Sequence, residues 1–359
     1  MKFRLFTPGP LSTSDRVRAA LATDIGSREP NFKRALAETR AKLITLAGLD
    51  SAAYTSILLP GSGTTMLEAS LRLMKQNGKS LLFLTNGAYG DRLIRIAEAI
   101  DLEHSVVQQD ELSAFDWREI ETAIASDDRL TTIAMVHCET STGQLNDLSS
   151  LGQVANTRGL DVFLDSMSSF GGVSCDYANI PLAVLVSSSN KCLHGIPGFG
   201  FALVNQAYLD SAVSKPESFA LDLRAHWQNQ AEQSEFLFTP STHALIGLRE
   251  AIAELEYEGG VEARARGYAQ KCSLLTSRMR DLGFQPILRA ELRSNIITAF
   301  EERDDLAFSI LYEALYEQGF VIYPGKLSQS RSFRIGNIGA LAIGDIEALI
   351  AAIASIKGN

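Results

Sequence analysis

One lysine stands apart from the other basic residues of the chain. Lys191 lies in Ser187-Ser-Ser-Asn-Lys-Cys-Leu-His-Gly-Ile-Pro-Gly-Phe-Gly200, between an apolar run (Ala183 to Ser187) and a glycine-rich turn. Upstream, Phe163-Leu-Asp165-Ser-Met-Ser-Ser-Phe-Gly-Gly172 carries a carboxylate at the end of another apolar run. A ligand can reach an amine set among small residues, and a carboxylate at a sheet edge is costly unless something pairs with it. Pyridoxal phosphate chemistry requires this arrangement. The lysine forms the Schiff base, and the aspartate keeps the pyridine nitrogen protonated so that the ring accepts electrons. Taken singly, each residue has a plainer reading: lysines are mostly solvated, and Asp165 could cap a helix. The two together carry more weight than either.

Other segments could complete such a site. Gly61-Ser-Gly-Thr-Thr65 before a helix reads as a phosphate cradle, with free N–H groups and a hydroxyl from Thr64 or Thr65. A tight strand-to-helix turn needs glycine for its own reasons, so the segment alone is a weak signal. No dinucleotide GxGxxG fingerprint occurs there. Tyr89, in Asn86-Gly-Ala-Tyr-Gly90, could stack on an aromatic ring or be an ordinary core tyrosine. Thr140 or Ser141 could hydrogen-bond a ring substituent. Arg334, in Ser332-Phe-Arg-Ile-Gly336, is costly in an apolar strand unless paired; its fork suits a substrate carboxylate, or a protein carboxylate in a buried ion pair.

Length and composition bound the choices. With 359 residues, 46% of them hydrophobic and 21% charged, the chain can bury a sizeable core and form a large and a smaller domain. A net charge of −9 argues against nucleic acid as a main partner. The four cysteines form no CxxC pair, which suits a reducing cytoplasm, and the five histidines show no metal-ligand spacing, so no metal is expected. The start, Met1-Lys-Phe-Arg-Leu-Phe-Thr-Pro-Gly-Pro10, is interrupted too early by proline for a signal peptide, and no apolar run is long enough to span a bilayer.

These residues need a scaffold. Strand and helix patterns alternate from Ile57 to Val204: strands at Ile57 to Leu59, Ser80 to Leu84, His104 to Val107, Thr131 to His137, Val162 to Asp165, Ala183 to Ser187 and Gly200 to Val204. Such alternation predicts a mainly parallel sheet covered on both faces, with ligands beyond the carboxyl ends of the strands. Helical stretches follow at Ala244 to Glu258 and Val261 to Leu282. Strands at Asn295 to Phe300, Phe320 to Tyr323 and Ser332 to Ile335, with helices at Asp305 to Gln318 and Ile343 to Ile356, read as a smaller α/β domain.

The chain resembles the class V, fold-type I aminotransferases. The resemblance rests on Thr7-Pro-Gly-Pro-Leu11, Gly61-Ser-Gly63, Asn86-Gly-Ala-Tyr-Gly90, Val136-His-Cys-Glu-Thr140 with Thr142-Gly143, Asp165 to Gly172, Ser188-Ser-Asn-Lys-Cys192 and Gly195-Ile-Pro-Gly-Phe199. It continues through Val321-Ile-Tyr-Pro-Gly-Lys326, Ser328-Gln-Ser330 and Phe333-Arg-Ile-Gly-Asn-Ile-Gly339, over nearly the whole chain. It implies an α/β fold: a large domain with a mainly parallel seven-stranded sheet (16–245), a smaller C-terminal α/β domain (246–359) and an N-terminal arm (1–15) packing on the latter. It implies pyridoxal phosphate as cofactor, with Lys191 as Schiff-base lysine and proton shuttle and Asp165 paired with the pyridinium. Tyr89 takes the stacking position, Ser62, Gly63 and Thr64 the phosphate cradle, and Thr140 and Met167 places beside the ring. Arg334, with Pro8 and Gly9, falls on the substrate side. Thr239 matches a threonine that reaches the cofactor phosphate of a neighbouring subunit, which implies a homodimer.

The reaction implied is transfer of the amino group of 2-aminoethylphosphonate to pyruvate. Two segments depart from the expected pattern. Ile25-Gly-Ser-Arg-Glu-Pro30 lacks the acidic, tryptophan-containing loop of many members, and Phe238-Thr-Pro-Ser-Thr242 inverts a serine and a proline. The first bears on the amino donor, with Arg28 either an added anion contact or a solvated residue. Rival readings are another class V transaminase of the alanine–glyoxylate type, a pyridoxal phosphate lyase on a related aminophosphonate, and a non-enzymatic member of the same fold.

Overall fold

The structure is a computed structural model that describes residues 3–211, 215–327 and 330–356. Ser328 and Gln329, within one of the resemblance segments, lie outside the described residues, as do Met1 and Lys2 of the arm. Seven strands form the main sheet, in the order Tyr54–Gly61, Gly198–Asn205, Leu182–Ser188, Asp161–Asp165, Thr132–Val136, Leu81–Thr85, His104–Gln108. The inner strands read as continuous apolar runs because helices cover both faces; Leu81–Thr85 and Thr132–Val136 are buried at every position.

One strand runs against the rest. Gly198–Asn205 pairs antiparallel with both Tyr54–Gly61 and Leu182–Ser188, while the remaining pairings are parallel. Two reversals restore direction, so Tyr54–Gly61 ends at the same edge of the sheet as Leu182–Ser188 and Asp161–Asp165. Gly198 begins its strand there. The segments carrying Gly61, Asn86, Cys138, Asp165, Lys191 and Pro197 therefore meet along one edge.

A second sheet of three strands, Ile297–Glu301, Ser332–Gly336 and Tyr323–Pro324, packs with helices Phe308–Glu317 and Ile343–Ser355 around Phe284, Phe300, Phe333 and Ile346. Here the structure corrects the expected strand Phe320 to Tyr323. It is divided in two: Phe320–Val321 pairs in parallel with Arg4–Leu5 of the N-terminal arm, and Tyr323–Pro324 joins Ser332–Gly336. Phe6 enters the same core, so the arm is stitched to it by backbone and side chain. The expected break after residue 245 falls inside helix Thr242–Tyr257, whose Leu248, Ile252 and Leu255 pack in the main-sheet core. The chain reverses at Gly259 and Gly260, both at positive φ (100° and 82°), before helix Gly260–Asp281. Helices Gln206–Asp210 and Leu223–Gln233 were not anticipated. Among the described residues no helix is long and apolar enough to cross a membrane.

Candidate active site

The converging segments enclose a cavity of about 480 Å³. Ser62, Gly63, Thr64, Tyr89, Asp165, Met167 and Lys191 line it, together with Arg92, Cys138, Ser188, Asn190 and Pro197. Seven of the residues singled out from sequence thus meet in one space. Pro8 and Gly9 touch it through the lysine. Lys191 Nζ donates to Pro8 O at 2.6 Å, and a Cβ on Gly9 would stand 2.6 Å from Lys191 Cδ.

Asp165 ends the central strand and is 1% exposed. Its Oδ1 accepts from the Met167 N–H at 2.9 Å. Among the described residues its Oδ2 has no hydrogen-bond partner, and Arg92 Nη2 stands 4.0 Å away. Burial pushes the carboxyl above the usual range, against the pull of Arg92, the Met167 N–H and Lys191. Burial likewise lowers the Lys191 amine below the usual lysine range, partly offset by Tyr89, Cys192 and Asp165. A desolvated amine gives up its proton more readily.

Across the cavity, helix Gly63–Gln76 opens at its N-cap, Ser62, whose Oγ accepts from the Thr65 N–H at 3.2 Å. The N–H groups of its first turn have no helical partner and favour an anion. At Gly63 a Cβ would fall 2.3 Å from Met167 Sδ, so glycine allows the cradle and Met167 to close on each other.

Helix Ala88–Ala99 presents Tyr89 to the cavity. Sequence reasoning missed what fixes it. Glu139, wholly buried, accepts from the N–H groups of Tyr89 and Gly90 through Oε2 and from the Ser141 N–H and Oγ through Oε1. The carboxylate caps the helix and ties it to the hairpin Cys138–Glu139/Gln144–Leu145. Ser141 is thereby spent; Thr140 is the residue that hydrogen-bonds the Tyr89 phenol. Burial raises that phenol, but Lys326, Lys191, Arg334 and the Thr140 bond outweigh it and lower it below the usual tyrosine range.

Arg334 is 2% exposed, with Nε donating to Pro324 O at 3.0 Å and Nη1 to Thr140 O at 2.8 Å. It has no carboxylate partner among the described residues, which removes the buried ion pair read from sequence. Its remaining donors are unspent. Arg28 is exposed and acts electrostatically on Glu235, as a solvated residue does. Thr239 is exposed and does not line the cavity of its own chain.

The Lys191 turn is held from behind. Arg264 Nη1 donates to Cys192 O at 2.8 Å, and His194 Nε2 accepts from the Gly339 N–H at 3.0 Å and meets Tyr268 OH at 2.5 Å. His194 has φ +66°, an uncommon conformation for a residue with a Cβ.

Comparisons with known proteins identify the family. The family model described as aminotransferase class-V matches residues 17–329. The chain belongs to the class V aminotransferases. A protein of Vibrio vulnificus (strain CMCP6) named 2-aminoethylphosphonate–pyruvate transaminase is 43% identical over 98% of this chain and 97% of its own length. One of Bacillus cereus (strain G9842) with the same name is 39% identical over 98% and 97%. Among solved structures, alanine–glyoxylate aminotransferase from Nostoc sp. superimposes with a TM-score of 0.90 at 22% identity, covering 98% of this chain and 94% of that one. Pyridoxamine–pyruvate aminotransferase from Mesorhizobium loti gives 0.85 at 21%, covering 99% and 98%. These confirm the fold-type I architecture. The enzyme is an aminotransferase and its cofactor is pyridoxal phosphate. The residues present fit that group: the unpartnered Oδ2 of Asp165 faces the cavity and lacks only an N–H donor, and the free helix N-terminus suits a phosphate.

Proposed function

We propose that this enzyme transfers the amino group of 2-aminoethylphosphonate to pyruvate, giving phosphonoacetaldehyde and L-alanine. The observation that carries the reading is the near full-length similarity, at 39–43% identity, to relatives named for that reaction. The electrostatics of the cavity support it. Lys326, Lys191 and Arg334 act together on Tyr89, and Arg92 lies over its ring, whereas Asp165 is the one carboxylate among the lining residues described. Such a field favours a doubly charged phosphonate.

Bound pyridoxal phosphate supplies a ring that withdraws electrons from the carbon bearing the amine. The chain does the rest. Ser62, Gly63 and Thr64 would hold the phosphate at the helix N-terminus, Tyr89 and Met167 would hold the ring, and Asp165 would supply the negative charge that pairs with the ring nitrogen. Lys191, lowered by burial, would take a proton from the amine-bearing carbon of the donor as a general base and deliver it as a general acid to the cofactor carbon joined to the same nitrogen. Arg334 holds the anionic end of either substrate; its backbone bonds fix the guanidinium before substrate arrives, which reduces the cost of ordering it. Pro8 and Gly9 wall the lysine side.

The same reading includes a homodimer with shared sites. Thr239 stands on the surface beside Phe238, which packs on Phe219, and Phe219 is 83% exposed. An aromatic pair left open to solvent beside a phosphate-binding threonine suits a subunit contact. We also assign the chain to an arm (1–15), a large unit and a small C-terminal unit, with the division at Gly259-Gly260 rather than after residue 245, and place the enzyme in the cytoplasm, consistent with four free cysteines.

A panel of amino donors with pyruvate as acceptor, following alanine, tests the assignment. 2-Aminoethylphosphonate should give the highest kcat/KM. A rank below ordinary amino acids would overturn the donor, and turnover without a keto acid would point to a lyase.

A further inference from the structure

Besides Lys191, Arg92 is the only cationic side chain lining the cavity among the described residues. It sits one turn beyond Tyr89 on helix Ala88–Ala99, whose first turn is anchored by Glu139. Its guanidinium carbon lies 4.7 Å from the centre of the Tyr89 ring. Its Nη2 stands 4.0 Å from Asp165 Oδ2. Arg92 Nε is buried without a hydrogen-bond partner among the described residues, as is Asp165 Oδ2 itself.

The separation is the informative part. At hydrogen-bond distance an arginine would consume the lone pairs of Oδ2. At 4.0 Å most of the Coulomb attraction remains, because it falls only as the inverse of distance, while the oxygen stays open to another donor. Stacking on Tyr89 fixes the guanidinium at that range. We propose that Arg92 is a positioning residue for Asp165: it keeps the buried carboxylate ionised while leaving Oδ2 free for the ring nitrogen of the cofactor. This inference rests on the site reading given under Proposed function.

The groups facing Asp165 are few. Helix Ala88–Ala99 contributes Arg92, the turn after Leu182–Ser188 contributes Lys191, and the segment after the aspartate contributes the Met167 N–H. His137, whose N–H donates to the Asp165 carbonyl, is uncharged, because burial pulls its imidazole down to about 3. Of the forces opposing burial, Arg92 is the largest. Without it the Asp165 carboxyl takes up its proton at higher pH, and the negative charge that pairs with the ring nitrogen is lost as pH falls.

The test is binding of pyridoxal phosphate to the cofactor-stripped full-length protein, followed by quenching of intrinsic fluorescence between pH 6 and 9. Wild type, Arg92→Gln, Arg92→Lys, Asp165→Asn and the double variant Arg92→Gln/Asp165→Asn are compared. Arg92→Gln is expected to weaken binding about tenfold at pH 7, the equivalent of one pKa unit, and by more toward pH 6. Arg92→Lys recovers part of the loss. In the Asp165→Asn background the same change at Arg92 should alter the Kd by less than about twofold, since coupled residues show their dependence in a double-mutant cycle. An equal loss in both backgrounds, or one independent of pH, would show that Arg92 does not act through Asp165 and overturn the inference alone. An Asp165→Asn protein that binds as well as wild type would overturn the site reading instead. Should Arg92→Gln fail to fold, Arg92→Lys in the two backgrounds gives the same comparison.

Discussion

The amine of Lys191 donates to the carbonyl oxygen of Pro8 at 2.6 Å, joining two points 183 residues apart in the chain. The N-terminal arm, held by the pairing of Arg4–Leu5 with Phe320–Val321, thus reaches into the cavity and supplies the lysine with a partner. Gly9 makes the approach possible. Its φ is +120°, and an added Cβ would lie 2.6 Å from Lys191 Cδ and 2.8 Å from Nζ. Gly9→Ala should therefore displace the amine, with kcat falling by about tenfold or more and a stability loss of about 1–3 kcal/mol from the backbone alone. Gly48→Ala is the control. Gly48 also has positive φ (64°), but no described residue comes within 4 Å of its Cβ position, so stability drops while kcat holds. Steady-state kinetics beside thermal melts separate the two.

Ser62→Ala removes the N-cap of helix Gly63–Gln76. The expected stability loss is about 1 kcal/mol. Binding of pyridoxal phosphate should weaken several-fold, while kcat at saturating cofactor stays near wild type, because the cap acts on holding the phosphate rather than on proton transfer. A cofactor titration at fixed enzyme concentration measures this.

Arg334→Lys keeps the charge but loses the fork. Both carbonyls that the guanidinium now satisfies, Pro324 O and Thr140 O, cannot be reached together by a single ammonium. The KM for pyruvate should rise by about tenfold or more, with roughly 1–3 kcal/mol lost in stability if the buried Thr140 carbonyl is left unpaired. If the KM for pyruvate is unchanged, Arg334 is a brace for the hairpin and not a substrate clamp.

Much of this site was legible in the sequence because buried strands announce themselves. Phe163-Leu-Asp and Ala183 to Ser187 are apolar runs ending in one polar residue, and a sheet covered on both faces produces that pattern. Strand direction was not legible: Gly198–Asn205 runs antiparallel, and alternation of side chains carries no sign of direction. Helix Leu223–Gln233 was invisible for another reason. Its buried side includes Gln230, whose amide donates to Leu58 O at 2.7 Å and accepts from Leu58 N at 3.1 Å. A polar residue that satisfies a strand backbone is indistinguishable, in sequence, from a solvated one. Arg92 was missed on similar grounds, since an arginine on an amphipathic helix ordinarily faces water. The role of Glu139 has no sign in the sequence either, because its donors come from two segments about fifty residues apart.

Acid should weaken the fold through two histidines. Burial pulls His137 down to about 3 from an ordinary value of 6.5, and pushes His194 well below that value. Both are therefore neutral when folded and take up a proton when the chain unfolds below about pH 6.5. The unfolded state binds more protons in that window, so stability rises with pH there and is lost as pH falls. Each histidine contributes a slope approaching about 1.4 kcal/mol per pH unit between pH 6 and 4. Buried carboxyls partly oppose this: Asp165 and Glu139, whose carboxyls burial raises, become less costly as they protonate. Among the described residues His137 has only Cys175 Sγ, at 3.9 Å, as a side-chain partner, so His137→Gln can remove the titration without breaking a strong bond. Urea unfolding at pH 7, 6 and 5 should show a shallower loss of stability for His137→Gln than for wild type, by about 1 kcal/mol per pH unit. His194→Gln should also flatten the curve but start from a lower stability, because it loses the contacts with Gly339 N and Tyr268 OH that hold the Lys191 turn. Parallel curves for wild type and His137→Gln would mean that the imidazole is protonated inside the fold.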